Sequence, residues 1–500
     1  MLNFIAGQQC SVDRTDVKRL FVVKLSEYVA YDATGLAELV DAGEITSSEL
    51  TRCARQAFDE VNPRINAVIE FYEDAQTVAG AASGPFNGVP FLRKDLGASE
   101  AGRLQERGSR LFKDYRPETD SFFFRRARNA GLRTIGRTTT PEFGRSGATE
   151  SILNGITRNP WDLERSASGS SGGAAAAVAA GITPISHGTD GGGSIRGPAA
   201  WCGLVGLSPS RGRVSGGPDQ QDKSLGLIRD FVLCRSVRDM AAALDVFSGS
   251  HPGDPFIIVQ PHRPYVDELL QPTGTLRVGL ARTKWDKLEL EPEVLQALDS
   301  IASLLEEMGH KVEEIDAPFQ FEAFMKAMFG CYGFGATSLA AQAKAMGRTI
   351  NSDTLEPVNL KFFQHSRDNP LSTFEEVDEA LRQMRFQVGE AVQAFDILVT
   401  PARPTVAQPL NTLCKLSDPT ISMEEYTVGN HSGYGHMSIW NVTGHPAVSL
   451  PLAQSGQGLP IGVQIVGRFG DEATLVRIAR DLEEARPWCH RQPKLRAGNR

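Results

Sequence analysis

Two clusters of glycine and serine are the places where this 500-residue sequence is best equipped to do chemistry. The first is Gly169-Ser170-Ser171-Gly172-Gly173, followed by the small-residue run Ala174 to Ala180. The second is Gly188-Thr189-Asp190-Gly191-Gly192-Gly193-Ser194-Ile195-Arg196-Gly197-Pro198. Glycine makes up roughly a quarter of residues 166–217, against a usual share of about 7%. One reading is a flexible linker, which the alanine run and the apolar Trp201 to Leu207 fit poorly. A second is an anion cradle of backbone N–H groups, but no lysine follows these glycines in GxxxxGK[ST] order. The third is acyl transfer. That chemistry needs several N–H donors converging on a developing oxyanion beside an attacking hydroxyl. Consecutive glycines let the backbone approach a carbonyl with no Cβ in the way. Gly191, Gly192 and Gly193 running into Ser194 supply oxyanion-hole donors and a hydroxyl in one loop.

An activating base is less evident. His187 is close in sequence, yet spacing alone does not place a His–Asp partnership, and there is no HExxH segment. A lysine serves if burial keeps it neutral, because it then accepts a proton. Lys94 stands at the end of the apolar run Gly88-Val89-Pro90-Phe91-Leu92-Arg93-Lys94, where a solvated strand end is the plainer reading.

With Lys94 upstream, the two clusters resemble the amidase signature family. The likeness extends over most of the chain. It takes in Gly136-Arg137-Thr138-Thr139-Thr140-Pro141-Glu142-Phe143-Gly144, Thr400-Pro401, Asn441-Val442-Thr443-Gly444-His445-Pro446-Ala447 and Gly458-Leu459-Pro460-Ile461-Gly462-Val463-Gln464. The resemblance implies a Ser–Ser–Lys triad: Ser194 as nucleophile, Lys94 as the final proton acceptor, and Ser170, in a cis peptide, as relay between them. It also implies supporting roles for Ser171, Asp190 and Arg196, with no metal or organic cofactor. Asp190 as a triad acid is the lesser alternative. Ser168, Thr139 and Ser208-Pro209-Ser210 depart from the usual glycine, asparagine and Lys-Pro-Thr, outside the triad.

The segments Ala82 to Pro90, Phe122 to Gly131 and Ile156 to Trp161 look most like the branch of nylon-oligomer cyclic-dimer hydrolases, with aryl acylamidases and carbamate-cleaving enzymes nearby. The implied substrate is a small to medium amide, including cyclic amides, anilides and urethanes. The pocket is expected to draw on Phe319 to Phe374, with Cys331 as a substrate contact, although core packing is the commoner use of such residues. A glutaminase subunit of a tRNA-dependent amidotransferase shares the triad and is the alternative within enzymes. A non-enzymatic scaffold is the alternative outside them, and the complete Lys94, Ser170 and Ser194 set argues against it.

The elements that must position these residues read as α/β. Helical periodicity covers Ala33 to Val40, stopped by Gly43. Thr46 to Glu49 opens a helix expected to end before Pro63. Further helices fall at Asp120 to Ala130, Pro292 to Met308 and Asp471 to Glu484. Strand-like runs fall at Ile65 to Phe71, Arg133 to Ile135 with closure at Gly136, Leu276 to Leu280, Phe395 to Pro401, Ala447 to Leu452 and Ile461 to Val466. With no internal repeat or compositional break, one large domain at 26–490 is expected, between an N-terminal extension at 1–25 and a tail at 491–500. By the resemblance, that domain is a central mixed β-sheet covered by helices on both faces.

Composition sets the class. The 52 basic and 60 acidic residues give a formal net charge of −8, which argues against an electrostatic nucleic-acid binder. Seven scattered cysteines without a CxxC pair suit a reducing compartment. No apolar window is long enough to span a membrane. A cytoplasmic enzyme acting on a small-molecule amide is expected, with a homodimer left open.

Overall fold

The computed structural model describes residues 23–220, 223–332, 335–368, 371–413 and 415–499. Of the expected N-terminal extension, residues 1–22 lie outside the described residues, as do Cys10 and Cys414.

An eleven-stranded mixed sheet organises the chain. Across it the strands run Val68–Phe71, Arg133–Thr138, Pro90–Lys94, Ile185–Asp190, Arg229–Cys234, Val205–Ser208, Ala447–Gln454, Pro460–Gly467, Ile397–Pro401, Arg277–Leu280 and Lys311–Glu314. Pro90–Lys94 pairs in parallel with Arg133–Thr138 on one side and Ile185–Asp190 on the other. The middle of the sheet, from Ile185–Asp190 to Ile397–Pro401, is antiparallel throughout. The fold is thus the expected single large α/β domain, with helices flanking the sheet. Among the described residues, no helix is long and apolar enough to cross a membrane.

Local chemistry explains most element ends. Asp32 caps the helix Ala33–Asp41 by accepting from Gly35 N–H at 2.9 Å, and Thr46 with Glu49 forms a capping box for Ser47–Ile65. That second helix does not stop before Pro63. It continues to Ile65, and Asn66 closes it in a left-handed conformation with φ 49°. The Asn62 side chain takes the N–H groups of Ala67 and Val68 at 3.0 and 2.8 Å and so fixes the turn by which the chain leaves the helix.

Gly136 likewise does not end its strand, which runs to Thr138. A Cβ there would lie 2.5 Å from the Glu70 carbonyl. The glycine allows close approach of the neighbouring strand inside the sheet rather than marking a turn.

The helix Gly172–Ala179 is buried along its whole length. Only glycine, alanine and one valine make it up, which lets it lie close against its surroundings. Its first turn starts from Ser171, and it therefore sets where Ser170 and Ser171 stand. At the chain's end, Leu495 N–H donates to the Pro160 carbonyl at 3.1 Å, Ala497 N–H to Ala180 at 2.9 Å, and the Arg496 side chain to Val29.

Candidate active site

Lys94 ends its strand with its side chain fully buried. Its Nζ lies 2.7 Å from Ser170 Oγ, 2.9 Å from Ser171 Oγ and 2.8 Å from Thr189 Oγ1. The Ser171 hydroxyl donates to the Thr189 carbonyl at 3.2 Å and accepts from Thr189 N–H at 3.2 Å. Its one proton is therefore committed, and Lys94 must donate to it. Burial pushes the Lys94 amine down from 10.5 to about 7, against the opposing pull of Asp230 and Asp190. A neutral amine gives its two N–H bonds to Ser171 and Thr189 and keeps a lone pair for the Ser170 hydroxyl. Ser170 also stands at the positive end of the Gly172–Ala179 helix, which disfavours a cation beside it and favours an alkoxide. The Gly169–Ser170 peptide is cis.

Ser194 sits half-buried at the end of the second glycine cluster. The loop is shaped by Asp190, whose carboxylate accepts from Gly193 N–H at 2.8 Å, Ile195 N–H at 3.1 Å and Arg196 N–H at 3.3 Å. The Arg196 guanidinium closes on the same carboxylate at 3.0 and 2.8 Å. Burial alone would raise the Asp190 carboxyl, but the charge and hydrogen bonds of Arg196, with Asn441, hold it well below the usual carboxylate range. Asp190 is thus a fixed anion that orders the loop, with no proton to trade.

One expectation changes here. The Gly193 N–H, assigned by sequence to the oxyanion hole, is spent on Asp190. Gly191, Gly192 and Ser194 line the cavity, and among the described residues their N–H groups meet no protein acceptor. Gly193 is still required in its place. Its φ is 117°, and a Cβ would meet the Tyr434 ring at 2.9 Å. The two serine loops are joined directly, since Ser171 N–H donates to the Ser194 carbonyl at 3.2 Å.

His187 is not a base for Ser194. Its Nδ1 accepts from the Lys94 backbone N–H at 3.2 Å and its Nε2 faces Asp230 at 2.9 Å, so the ring proton sits on Nε2. Burial keeps the ring neutral. It steadies the end of the Lys94 strand.

Ser170 and Ser194 open on one cavity of about 450 Å³. Cys331 lines it, and burial pushes that thiol up to about 12. The expected pocket segment divides. Met328, Cys331, Ser338, Leu339 and Phe363 reach the cavity, whereas Phe319, Phe324 and Met325 belong to a hydrophobic cluster with Trp285 and Trp440. Sequence reasoning missed Arg107, Arg145 and Tyr434, which also line it. The Tyr434 hydroxyl lies 3.0 Å from Ser168 Oγ and donates to the Gly169 carbonyl at 3.2 Å, so it braces the peptide that carries Ser170.

Residues 49–476 match the Amidase family profile. The chain belongs to the amidase family. It is 37% identical over 477 residues to the 6-aminohexanoate-cyclic-dimer hydrolase of Paenarthrobacter ureafaciens, covering 93% of this chain and 96% of that one. The solved structure of 6-aminohexanoate cyclic dimer hydrolase complexed with substrate superposes with a TM-score of 0.87 at 36% identity, over 93% of this chain and 99% of that chain. A bacterial aryl acylamidase of the amidase signature family superposes with a TM-score of 0.82 at 25% identity, over 94% and 99% of the two chains. The protein is a hydrolase of carbon–nitrogen amide bonds.

The late motifs of this amidase converge on Arg196. Its guanidinium donates to Asn441 Oδ1 at 2.6 Å, Gln464 Oε1 at 2.8 Å and the Met437 carbonyl at 2.9 Å. Gln464 Nε2 in turn donates to Thr400 Oγ1 at 2.7 Å. Asn441, Gln464 and Thr400 all lie in segments that the sequence resemblance singled out, and their shared function is to hold the arginine that holds Asp190.

Proposed function

We propose that this amidase cleaves its substrate through an acyl-enzyme on Ser194. The observation that carries the reading is the buried Lys94 amine 2.7 Å from Ser170 Oγ, in a cavity that both Ser170 and Ser194 line. Ser194 Oγ attacks the amide carbonyl carbon as its proton passes to Ser170 and from Ser170 to Lys94. The oxyanion is met by the N–H groups of Gly191, Gly192 and Ser194. As the intermediate collapses, Ser170 gives its proton to the leaving nitrogen and is reprotonated by Lys94. Water then attacks the acyl-enzyme by the same relay, releasing the acid. Ser171, Asp190 and Arg196 support this machinery without exchanging protons.

The substrate is a small to medium amide. A cavity of about 450 Å³ is of ligand size. The names of the relatives favour cyclic amides and anilides, with urethanes as a chemical neighbour. Cys331 contacts the substrate from the pocket wall. In this reading residues 26–490 form the catalytic domain of a cytoplasmic enzyme that acts without nucleic acid, membrane or cofactor, and a homodimer is compatible with it.

Ser194→Ala tests the reading. Turnover of a panel of amide, anilide, urethane and cyclic diamide should fall by roughly 10⁴-fold or more, and labelling by a fluorophosphonate should vanish. Retained labelling in the variant would place the nucleophile elsewhere. Hydrolysis by the isolated chain also counts against a glutaminase subunit.

A further inference from the structure

Among the described residues, the cavity beside Ser170 and Ser194 is lined by basic side chains, Arg107 and Arg145, and by no acidic one. His431, also on the wall, is held neutral by burial, which takes its imidazole down to about 4.

Arg107 is the better defined of the two arginines. Its backbone is pinned on both sides: its N–H donates to the Asp95 carbonyl at 3.0 Å and its carbonyl accepts from Phe143 N–H at 2.9 Å. Its guanidinium stacks 4.1 Å from the Phe112 ring centroid. Nη1 donates to Gln342 Oε1 at 2.9 Å, and Gln342 is itself held by Ser338 at 3.0 Å. The fork is therefore held by a ring and an amide, both neutral. Asp95 is the acid whose field reaches Arg107, and its own oxygens are occupied by Arg137 and the N–H groups of Glu106 and Gly108 at 2.8 to 3.0 Å. Burial accordingly weakens Arg107's hold on its proton. A half-buried, preorganised guanidinium with no ion-pair partner among the described residues is matched by an anion from outside. The same cavity supplies apolar surface from Leu96, Phe143 and Leu339.

We propose that the cavity selects amides that bear a carboxylate on an apolar spacer, and that Arg107 binds this carboxylate through its guanidinium fork. The proposal rests on reading this cavity as the amide site, and it adds that the natural substrate is an anion. Arg107 acts on specificity and takes no part in the proton relay.

The test uses two matched pairs. In the first the carboxylate is on the amine side: 6-(benzoylamino)hexanoate against 6-(benzoylamino)hexan-1-ol. In the second it is on the acyl side: adipic acid monoanilide against 6-hydroxyhexananilide. Binding is measured by calorimetry on the Ser194→Ala protein, which cannot turn the ligands over. In at least one pair the carboxylate member should bind about tenfold tighter or more, and the pair that responds locates the carboxylate relative to the scissile bond. Adding Arg107→Gln should erase the difference, while Arg107→Lys keeps the charge, loses the fork and retains part of it. If Arg107 merely stacks, both members weaken together and their ratio is unchanged. An unchanged ratio, or equal or absent binding of both members in both pairs, overturns the proposal. Failure of the native enzyme to hydrolyse any amide, neutral or carboxylate-bearing, would instead sink the acyl-enzyme reading, and the binding ratio would still be judged by itself.

Discussion

Replacing Lys94 with methionine separates the base from the bonds it makes. The amine is fully buried, and burial takes it from 10.5 to about 7. Between those two values the unfolded chain carries a proton that the folded chain has lost. Unfolding therefore takes up a proton, and stability rises with pH across that window, by about 1.4 kcal/mol per pH unit. Below pH 7 both states are protonated, and the cost of burying the amine is fully present at about 5 kcal/mol. Above about pH 10.5 it has gone. Lys94→Met has no such group. It also loses contacts to Ser170, Ser171 and Thr189, worth about 1 kcal/mol each, but that loss hardly depends on pH. The difference between the two proteins isolates the lysine. Measured by urea unfolding at pH 8 and pH 9.5, wild type should gain about 2 kcal/mol on Lys94→Met. The kinetic counterpart is an acid limb in kcat/KM with its midpoint near 7, falling about tenfold for each pH unit below it as the neutral amine is lost. Parallel stability curves for the two proteins, or a flat acid limb, would refute a neutral lysine base.

Two further substitutions probe the loop. Gly193→Ala puts a Cβ at φ 117° and 2.9 Å from Tyr434; unfolding should show a loss of about 1–3 kcal/mol, with kcat falling as the neighbouring donors shift. Asp190→Asn leaves Arg196, fully buried and bound to that carboxylate at 2.8 Å, without its counter-charge, and stability should drop by about 3–5 kcal/mol in denaturant titrations.

The serine loops were legible because their chemistry is local. Glycine density and the run into Ser194 reveal a loop built for backbone approach. The base was not legible in that way. Lys94 and Ser170 are 76 residues apart, and they meet because the helix Gly172–Ala179, which follows Ser170, packs against the Pro90–Lys94 strand. Resemblance supplied Lys94, whereas its spacing alone suggested a solvated end. The misassigned Gly193 donor had a readable signal. An aspartate three residues before a glycine N–H is the geometry of a local side-chain cap, and Asp190 uses it. Pro63 misled for another reason: its ring removes only the one N–H due to the Asp59 carbonyl, and the helix bears that loss in its last turn and ends two residues later at Ile65. Arg107 and Tyr434 were invisible since the cavity wall is assembled from loops and helices scattered between Leu96 and Tyr434, which no spacing rule connects.

Electrostatics also explains why the late motifs matter to a reaction they do not touch. Asp190 and Asp230 both pull the Lys94 amine towards protonation, which would remove the lone pair the proposed relay needs. Each acid is engaged elsewhere. Asp230 accepts from Ala98 N–H at 2.9 Å and faces the His187 ring at 2.9 Å. Asp190 is closed by the Arg196 guanidinium, and Arg196 is held by Asn441 and Gln464, 245 and 268 residues further along the chain. A negative charge tied to a positive one projects a weaker field on a third group than a free charge does. The bonds that shape the Ser194 loop thus also shield the amine, so that desolvation wins. Ordering of the Ser194 loop and neutrality of the Lys94 amine are two results of one buried ion pair.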